Sequence, residues 1–402
     1  MRLGAAFQRL WFGNAFGNLA DGLAFVTIPL VAVALTSSPA LIAGLATAYS
    51  LTRLLVTVPI GVYVDRLDRR TLMWTANLLR GLALVALAGL LFVGQPSIWV
   101  LYAVYCFVGI MENVADNAAV AILPDLVAED QLDSANSHIS SVQLIADEFA
   151  GPPLGGLLFG IAAGLAVITT GSLYCLAALA FLLLPRKGPG PDVDLEEPRP
   201  GLWAEAVEGL RWMAGHAQIR TLAGIGALAN FAYMVPFSIL VLFALERLHL
   251  SAAGYGVLLA VSSLGGLVGA AVAASVRRRL GYRFTMALSM VLGSATLLGL
   301  GFTTNPVVAG LLLALYILHA TVYSIAATSL RQRLVPAHLR GRTYAGSRVL
   351  SLTGLALGGA VGGVLAETLS LAAPLFAGGI AFAVAAVWAT SLKVDGPAPP
   401  EA

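Results

Sequence analysis

Charged residues are scarce in this chain. Of its 402 residues, 11% are Asp, Glu, Lys or Arg and 58% are hydrophobic, whereas a soluble domain carries about a quarter charged residues. Most of the chain is therefore predicted to avoid water. A net charge of +2, together with the lack of an Arg-rich segment or an aromatic-rich basic patch, argues against a nucleic-acid partner.

Motifs for enzyme chemistry and metal binding are also missing. The sequence has no nucleophile–base motif, no metal-ligand cluster and no Gly-x4-Gly-Lys-Ser/Thr phosphate loop. Its two cysteines, Cys106 and Cys175, fall on different apolar segments. We interpret them as small core residues rather than as a disulfide or a metal pair. We expect no enzyme activity, no metal and no cofactor.

The chain contains twelve apolar segments of about 20 residues, the length that crosses a bilayer as a helix. They lack the strict alternation of a transmembrane barrel. Asn14, Asn18 and Asp21 interrupt the first segment, which is unlike a cleavable signal peptide. The predicted spans are residues 10–36, 40–64, 71–94, 97–122, 137–163, 165–184, 218–246, 252–276, 283–303, 306–329, 344–366 and 370–391. The fold class predicted is an all-α membrane protein.

Basic residues outside the spans predict the orientation, because cytoplasmic loops carry an excess of Lys and Arg. On the side opposite the termini, we find only Arg247. The residues on the same side as the termini are Arg2, Arg9, Arg66, Arg69, Arg70, Arg186, Lys187, Arg199, Arg211, Arg277, Arg278, Arg279, Arg283, Arg331, Arg333, Arg340, Arg342 and Lys393. Both termini are therefore predicted to be cytoplasmic, in the cell (inner or plasma) membrane.

The two halves of the chain resemble each other. Gly155-Gly156 in span 5 matches Gly362-Gly363 in span 11 at an offset of about 207 residues, and the basic loop after span 2 has a weaker copy after span 8. Two similar six-helix halves are a transporter architecture with the substrate site between them. The predicted domains are a bundle at 1–184, a cytoplasmic linker at 185–217, a second bundle at 218–392 and a cytoplasmic tail at 393–402.

Within the linker, residues 185–201 are rich in proline and are predicted not to be helical. Residues 202–215 place apolar side chains at helical spacing, with charged residues on another face. We interpret this segment as an amphipathic helix at the membrane interface. A short helix docked on a partner is the alternative.

The polar loop after span 2 resembles a family signature. It reads Gly61-Val62-Tyr63-Val64-Asp65-Arg66-Leu67-Asp68-Arg69-Arg70 and is similar to the loop between helices 2 and 3 of the major facilitator superfamily. The usual Gly near the end of that loop is Asp68 here. The resemblance implies a conformational role for the motif, with the acid at its centre helping to latch the two halves on the cytoplasmic side. The residues concerned are Gly61, Asp65, Arg66, Arg69 and Arg70.

Span 5 carries a second motif, Gly151-Pro152-Pro153-Leu154-Gly155-Gly156. It is similar to the Gly-Pro motif of the family's exporters, in which glycines permit close helix contact and proline kinks the helix. Stretches at 123–127, 135–137, 331–336 and 340–342 look like the third drug:proton antiporter group, which includes macrolide, tetracycline and siderophore exporters. Many such antiporters carry an arginine in the middle of helix 4. Residues 108–113 contain no arginine. The proton-relay residue of those antiporters therefore has no counterpart at this place in the sequence.

Ionisable side chains near the bilayer midplane are costly and are therefore functional candidates. A rise of ~1.5 Å per residue places a group of them close to midplane, and the internal repeat places a histidine of span 10 opposite one of the acids. The proton-coupling candidates are Glu112, Glu148, Asp21, Asp116, Asp147 and His319. Arg53 is predicted to be their charge partner, and the alternative is a purely structural network in which Arg53 neutralises Asp21 or Glu112. Arg80 is expected to snorkel toward the cytoplasm.

A set of aromatic and amide residues suits the lining of a cavity for bulky amphipathic ligands, with ordinary packing as the alternative. They are Tyr102, Tyr105, Asn230, Phe231, Tyr233, Phe237, Tyr316 and Tyr323.

The predicted function is proton-coupled efflux of a small amphipathic, drug-like compound by alternating access. We expect the protein to work as a monomer in the lipid bilayer, with a small molecule and protons as its ligands. Transport of a siderophore, lysolipid or nutrient is the first alternative. A membrane enzyme or sensor is a distant alternative, because the sequence has neither a catalytic motif nor a soluble output domain.

The orientation leads to a labelling prediction. Single cysteines at Ser37 or Asn305 should react with an impermeant thiol reagent added to intact cells, because both positions lie in loops with few basic residues. A cysteine at Asp68 should react only after the membrane is opened. The reverse pattern would overturn the orientation.

Overall fold

The structure is a computed structural model that describes residues 3–94, 96–185, 202–336 and 339–393, and only the backbone at 57–66, 120, 129 and 202–206. These residues form helices and connecting turns, with no strand among them. The helices are α1 (Gly4–Leu35), α2 (Pro39–Arg66), α3 (Arg69–Phe92), α4 (Ile98–Leu126), α5 (Leu132–Ile161), α6 (Ala163–Leu182), α7 (Leu202–Gly215), α8 (Ala217–Arg247), α9 (Ala252–Phe302), α10 (Pro306–Leu334), α11 (Arg340–Thr368) and α12 (Ala373–Ala389).

The membrane-spanning helices agree with the predicted fold class. Ten of the described helices are long and apolar enough to cross a bilayer, and α12 is a shorter apolar helix. The long helix α9 is two helices joined at Gly281, whose φ of 71° breaks the helical conformation. Only glycine adopts such a φ at little cost. Counting the two arms of α9 separately, the described helices are consistent with the twelve predicted spans.

Polar side chains begin several of these helices by capping the backbone N–H groups of the first turn, which have no partner within the helix. Asp68 caps α3 by accepting a hydrogen bond from the Thr71 N–H at 3.0 Å. Asn305 caps α10 by accepting from the Val307 N–H at 2.9 Å. Asp68 stands where the family's loop signature usually has glycine, and this aspartate provides the N-cap of α3.

Helix α5 is irregular in its middle. Residues Leu144–Ala150 form a π-helical segment, directly before Gly151, Pro152 and Pro153. The two prolines have no N–H to donate to the preceding turn, which explains why the regular α-helical ladder is interrupted at this point. A π segment of this kind is frequent at functional sites, and this one contains the predicted candidates Asp147 and Glu148.

The described chain divides into two compact units. The first comprises Met1–Ser37, Thr52–Arg199 and Leu250–Ala260, and the second comprises Ser38–Leu51, Pro200–His249 and Val261–Ala402. In the first unit, α1 and α3 both pack against α6, and in the second α8 packs against α11 and α12. The predicted domain boundaries stay a prediction. The linker residues 186–201 and the tail residues 394–402 lie outside the described residues.

Helix α7 packs on α11 of the same chain. Arg342 Nη1 lies 2.6 Å from Glu208 Oε1, and Met213 is buried beside Ser347. Gly209 lies so close to Arg342 that a Cβ there would clash with the arginine carbonyl. One face of the amphipathic segment is therefore docked within the chain, and its location at a membrane interface stays a prediction.

The glycines of the second sequence motif lie at close helix crossings in the first unit. Gly151 and Gly155 pack against α1 beside Gly22 and Leu23, and Gly156 packs against the start of α9 at Ala252. In each case a Cβ would meet backbone atoms of the facing helix. Close backbone approach through glycine is typical of helix packing in membranes. A role for these residues in export stays a prediction.

Gly265 of α9 provides a test of this packing, since a Cβ there would clash with the carbonyl oxygen of Ala314 in α10. We expect Gly265→Ala to destabilise the protein by about 1–3 kcal/mol, as overpacking does. The control is Gly160→Ala, because nothing lies within 4 Å of a Cβ at Gly160. Thermal unfolding in detergent would measure the difference, and equal stability of the two variants would contradict it.

Candidate functional site

An ion-pair network around one buried arginine lies in the first unit and joins four helices. Arg80 of α3 is 2% exposed and its Nη2 pairs with Asp21 Oδ1 of α1. The same nitrogen donates to the Tyr174 hydroxyl of α6 at 2.7 Å, and that hydroxyl donates to Asp21 Oδ1 at 2.6 Å. Glu112 Oε2 of α4 lies 3.5 Å from Arg80 Nη2. One guanidinium thus holds α1, α3, α4 and α6 together.

Glu112 connects this network to α2. Its Oε1 lies 3.1 Å from Arg53 Nη1, so the carboxylate contacts two arginines from different helices. The predicted pairing of Arg53 with Glu112 is therefore present. Asp21 pairs with Arg80 instead of Arg53.

The prediction for Arg80 is wrong. A snorkelling arginine would have its guanidinium in the interfacial water, but this side chain is 3% exposed and directed to Asp21. The guanidinium also lies over the Tyr174 ring, with its Cζ 3.9 Å from the ring centroid. Burying a charge is tolerated when it is paired and hydrogen-bonded, and carboxylates on two neighbouring helices meet that condition.

Two further acids lie near this network without a partner of their own. Asp116 is one turn after Glu112 on α4, and Asp147 lies in the π segment of α5. Each lies within electrostatic range of both Asp21 and Glu112. Among the described residues, neither makes a hydrogen bond or an ion pair. Glu148, the neighbour of Asp147, is exposed.

A small cleft opens beside the network and is lined by residues of α1, α3, α4 and α6. Its polar lining residues are Asn14, Asn18, Asp21, Asn77, Arg80 and Asp116. The three amides donate hydrogen bonds to backbone carbonyls of their own helices at 2.7–2.9 Å. Their side-chain oxygens are thereby left as acceptors for the cleft, which suits water, a proton-carrying group or a hydrogen-bond donor of a ligand.

His319 lies in the second unit within an aromatic cluster. It is 1% exposed, and its ring packs edge-on against Tyr316 and Phe382 with centroid distances of 4.7 and 5.1 Å. Within the described part of the chain, both ring nitrogens and the Tyr316 hydroxyl have no hydrogen-bond partner. None of the described carboxylates contacts the ring, so a proton bound there would carry a charge that no described acid compensates. Its predicted role in proton coupling stays a prediction.

The predicted cavity-lining aromatics do not surround the cleft. Tyr233, Phe237 and Tyr316 stack with centroid distances of 4.3–6.3 Å in the second unit, and Tyr316 is fully buried. Asn230 donates to the carbonyl of Gly226 in its own helix. Tyr102, Tyr105, Phe231 and Tyr323 are partly buried.

Sequence reasoning missed Asn77, Arg80 and Tyr174 as site residues. A signal existed for the arginine, since Arg80 is a charged residue inside an apolar segment. No sequence signal distinguishes Tyr174 from the other aromatic residues of the spans.

The loop motif is described in part. Arg69 Nη1 lies 3.0 Å from Asp125 Oδ2 and donates to the Ala121 carbonyl at 2.8 Å, so it ties the start of α3 to the end of α4. Arg70 donates to the Leu182 carbonyl at the end of α6. The side chains of Asp65 and Arg66, and the surroundings of Gly61, lie outside the described residues, and the latch role of the motif stays a prediction.

Comparisons with known proteins agree on a transporter family. The model of the Major Facilitator Superfamily matches residues 10–345 and 222–402. The multidrug efflux pump Tap of Mycolicibacterium fortuitum is 28% identical over 91% of this chain and 90% of its own length. The enterobactin exporter EntS of Shigella boydii serotype 4 is 25% identical over 95% of this chain and 90% of its own. The structure of a bacterial homologue of the iron transporter ferroportin, in an inward-facing state, superposes with a TM-score of 0.76 at 19% identity and covers 98% of this chain and 99% of that one.

The ion-pair network predicts that removing the charge of Arg80 destabilises the protein. Arg80→Gln would leave Asp21 without its buried cation, and we expect it to lower stability by about 3 kcal/mol, as breaking a buried ion pair does. Adding Asp21→Asn should restore part of the loss, because the unpaired charge is then gone. Thermal unfolding in detergent would measure both variants.

The matched control is Arg278→Gln, because Arg278 is exposed and its one hydrogen bond to a described residue is to Ser275, three residues earlier. Its effect should stay within about 0.5 kcal/mol. An Arg80 variant as stable as this control would refute the structural role of the network.

Proposed function

The chain belongs to the major facilitator superfamily, and from this we propose that it is a secondary transporter that exports a small amphipathic compound in exchange for protons. It is a transporter rather than an enzyme, and it lies in the inner (plasma) membrane as a multi-span protein. Export, proton coupling, the cytoplasmic location of both termini and the monomeric state belong to the proposal. The efflux-pump and exporter relatives support the direction of transport.

The observation that carries proton coupling is a surplus of carboxyl groups over cations beside the cleft. Arg53 and Arg80 are the two cations of the network, and both are engaged by Glu112 and Asp21. Asp116 and Asp147 are therefore in excess. Asp147 is half-buried, and Asp116 is exposed to the cleft. In the interior of a membrane protein a carboxylate without a cation is costly, whereas a protonated carboxyl group is much less so. A cluster of this composition binds and releases protons without dismantling its ion pairs.

We propose different tasks for these acids. Asp21 and Glu112 hold the two arginines and so position α1, α2, α3 and α4. Asp116 lines the cleft, where the amide oxygens of Asn14 and Asn18 allow water to reach it. Asp147 lies in the π segment, next to the crossing of α5 with Gly22 of α1. Proton exchange at Asp116 would depend on which side of the membrane the cleft faces, as coupling requires.

Reconstituted vesicles with an imposed pH gradient would test the proposal. We expect Asp116→Asn and Asp147→Asn to reduce uphill accumulation of a fluorescent amphipathic dye at least tenfold when combined. Downhill movement of the dye should continue, because neither substitution removes an ion pair. Asp130→Asn is the control, since Asp130 is exposed and lies in the turn between α4 and α5.

Two results would contradict the assignment. If the double variant still accumulates the dye, the coupling protons bind elsewhere, and Glu112 and Glu148 are the next positions to replace with Gln. If the unsubstituted protein ignores the pH gradient, proton exchange itself is wrong.

A siderophore is the second candidate cargo, because the enterobactin exporters match 95% of this chain at about the same identity as the multidrug pump. Vesicles loaded with a catecholate siderophore, measured beside the dye, would separate the two. Transport of the siderophore alone would replace the drug-like substrate in the proposal and leave the proton site in place.

A further inference from the structure

The chain between Glu246 and Glu367 has no acidic residue. Residues 247–366 include ten arginines but no Asp or Glu. Some of these arginines lie together in the second unit, at the bend of α9 and at the end of α10, and we call them the α9–α10 basic cluster: Arg277, Arg279, Arg283 and Arg333. Among the described residues, none of the four pairs with an acid. The positive charge of the cluster is therefore not neutralised within the described chain.

One tyrosine gathers two of these arginines. Tyr282, at the bend of α9, packs against a core cluster that includes Met286 and Leu330. The Cζ of Arg277 lies 5.2 Å from the centroid of the Tyr282 ring, and the Cζ of Arg333 lies 5.5 Å from it. Cation–π attraction thus holds two guanidinium groups from different helices against one ring that is itself fixed by packing. Their mutual repulsion is relieved when an anion binds beside them.

Arg283, which directly follows Tyr282, adds a third charge. Its Nε is buried and has no hydrogen-bond partner in the part of the chain that the structure describes. A buried donor without an acceptor is costly. A guanidinium binds phosphate particularly well, because its planar N–H groups match two phosphate oxygens at once. The charge and the unused donor both favour a phosphate group as the ligand.

An apolar face begins beside these arginines and follows the second arm of α9. Phe284, Leu288 and Val291 are spaced by four and three residues, so they lie on one face of the helix, and all three are exposed. The Cζ of Arg283 lies 5.3 Å from the centroid of the Phe284 ring, which places a positive charge at one end of this face. A molecule that joins a phosphate to an acyl chain would fit both the charges and the apolar face.

We propose that the α9–α10 basic cluster binds the headgroup of an anionic phospholipid, whose acyl chain lies along the exposed apolar face of α9. Basic side chains at a membrane surface attract anionic headgroups, and the stacking on Tyr282 makes this cluster a defined site. The bend of α9 separates two predicted spans, so we expect it at a membrane surface. The apolar face favours a lipid over free phosphate, which would leave that face uncovered. The proposal goes beyond the transport function and does not depend on export or on proton exchange.

Native mass spectrometry of the full-length, delipidated protein in detergent would test the site. Phosphatidylglycerol and phosphatidylcholine with the same acyl chains both contain a phosphate, but only phosphatidylglycerol has a net negative charge. We expect the first bound phosphatidylglycerol to have a dissociation constant at least fivefold below that of phosphatidylcholine, because no acid neutralises these arginines. A higher salt concentration should reduce the difference, since salt screens exposed charges.

Substitutions locate the binding within the chain. Arg277→Gln/Arg333→Gln removes the two charges on Tyr282 and should bring the two dissociation constants within twofold of each other. The control Arg9→Gln/Arg211→Gln removes two exposed arginines of the same predicted side and should keep the preference. Arg277→Lys/Arg333→Lys retains the charges and should keep most of it. The single change Arg283→Gln should weaken phosphatidylglycerol binding at least threefold, and it tests the site if the Gln pair does not fold.

Three results would overturn the proposal. The first is equal affinity of the unsubstituted protein for the two lipids. The second is an equal loss of the preference in the Gln pair and in the control pair, because net charge rather than this site would then attract the lipid. The third is a rise in unfolding temperature with inorganic phosphate alone, relative to chloride at the same ionic strength, which would replace the lipid with a small phosphate ligand. None of these measurements requires transport, so a protein that ignores the pH gradient would refute proton exchange without affecting them.

Discussion

The burial of one guanidinium, that of Arg80, is the constraint on which the first unit depends. A charge in the interior of a membrane protein needs compensating partners, and these come from Asp21 of α1, Glu112 of α4 and Tyr174 of α6. Because each partner belongs to a different helix, satisfying the charge fixes the rotation of all four helices about their axes. Apolar packing alone would leave those rotations less defined, since the lipid is as apolar as the helix surfaces.

Much of the fold was predictable from the sequence, because it depends on local patterns. Apolar length predicted the spans, and turn residues such as Asp68 and Asn305 lie at helix starts as caps. The amphipathic pattern predicted a helix at 202–215. Gly281, which divides α9, was not identified, because a single glycine in a chain with 43 of them does not reveal which one adopts a positive φ.

The site was less predictable, because it depends on how helices face one another. The depth of a residue in the bilayer follows from its position along the span. This count placed Asp21, Glu112 and Asp147 at a similar depth, near midplane. The depth of a residue does not say toward which neighbouring helix its side chain points. For that reason Arg80 was assigned to the membrane interface, whereas its side chain points inward. Spacing placed Glu112 and Asp116 on one face of α4, yet it gave no indication that one is paired and the other is not.

The two units differ in chemistry, although the sequence halves resemble each other. The first unit has paired charges, two acids in excess and a cleft lined by amides. At the position that the repeat assigns to Glu112, the second unit has His319, packed against Tyr316 and Phe382. A neutral imidazole fits such surroundings. Its two nitrogens have no hydrogen-bond partner in the part of the chain that the structure describes, which costs about 1–3 kcal/mol each. That cost disfavours any arrangement that leaves both nitrogens without a polar partner, so the second unit would favour states in which water or a polar ligand reaches this ring. With protons exchanging at Asp116 and Asp147, as proposed, ligand polarity and proton occupancy would act on different helices, and one chain would couple two cargoes without a shared binding site.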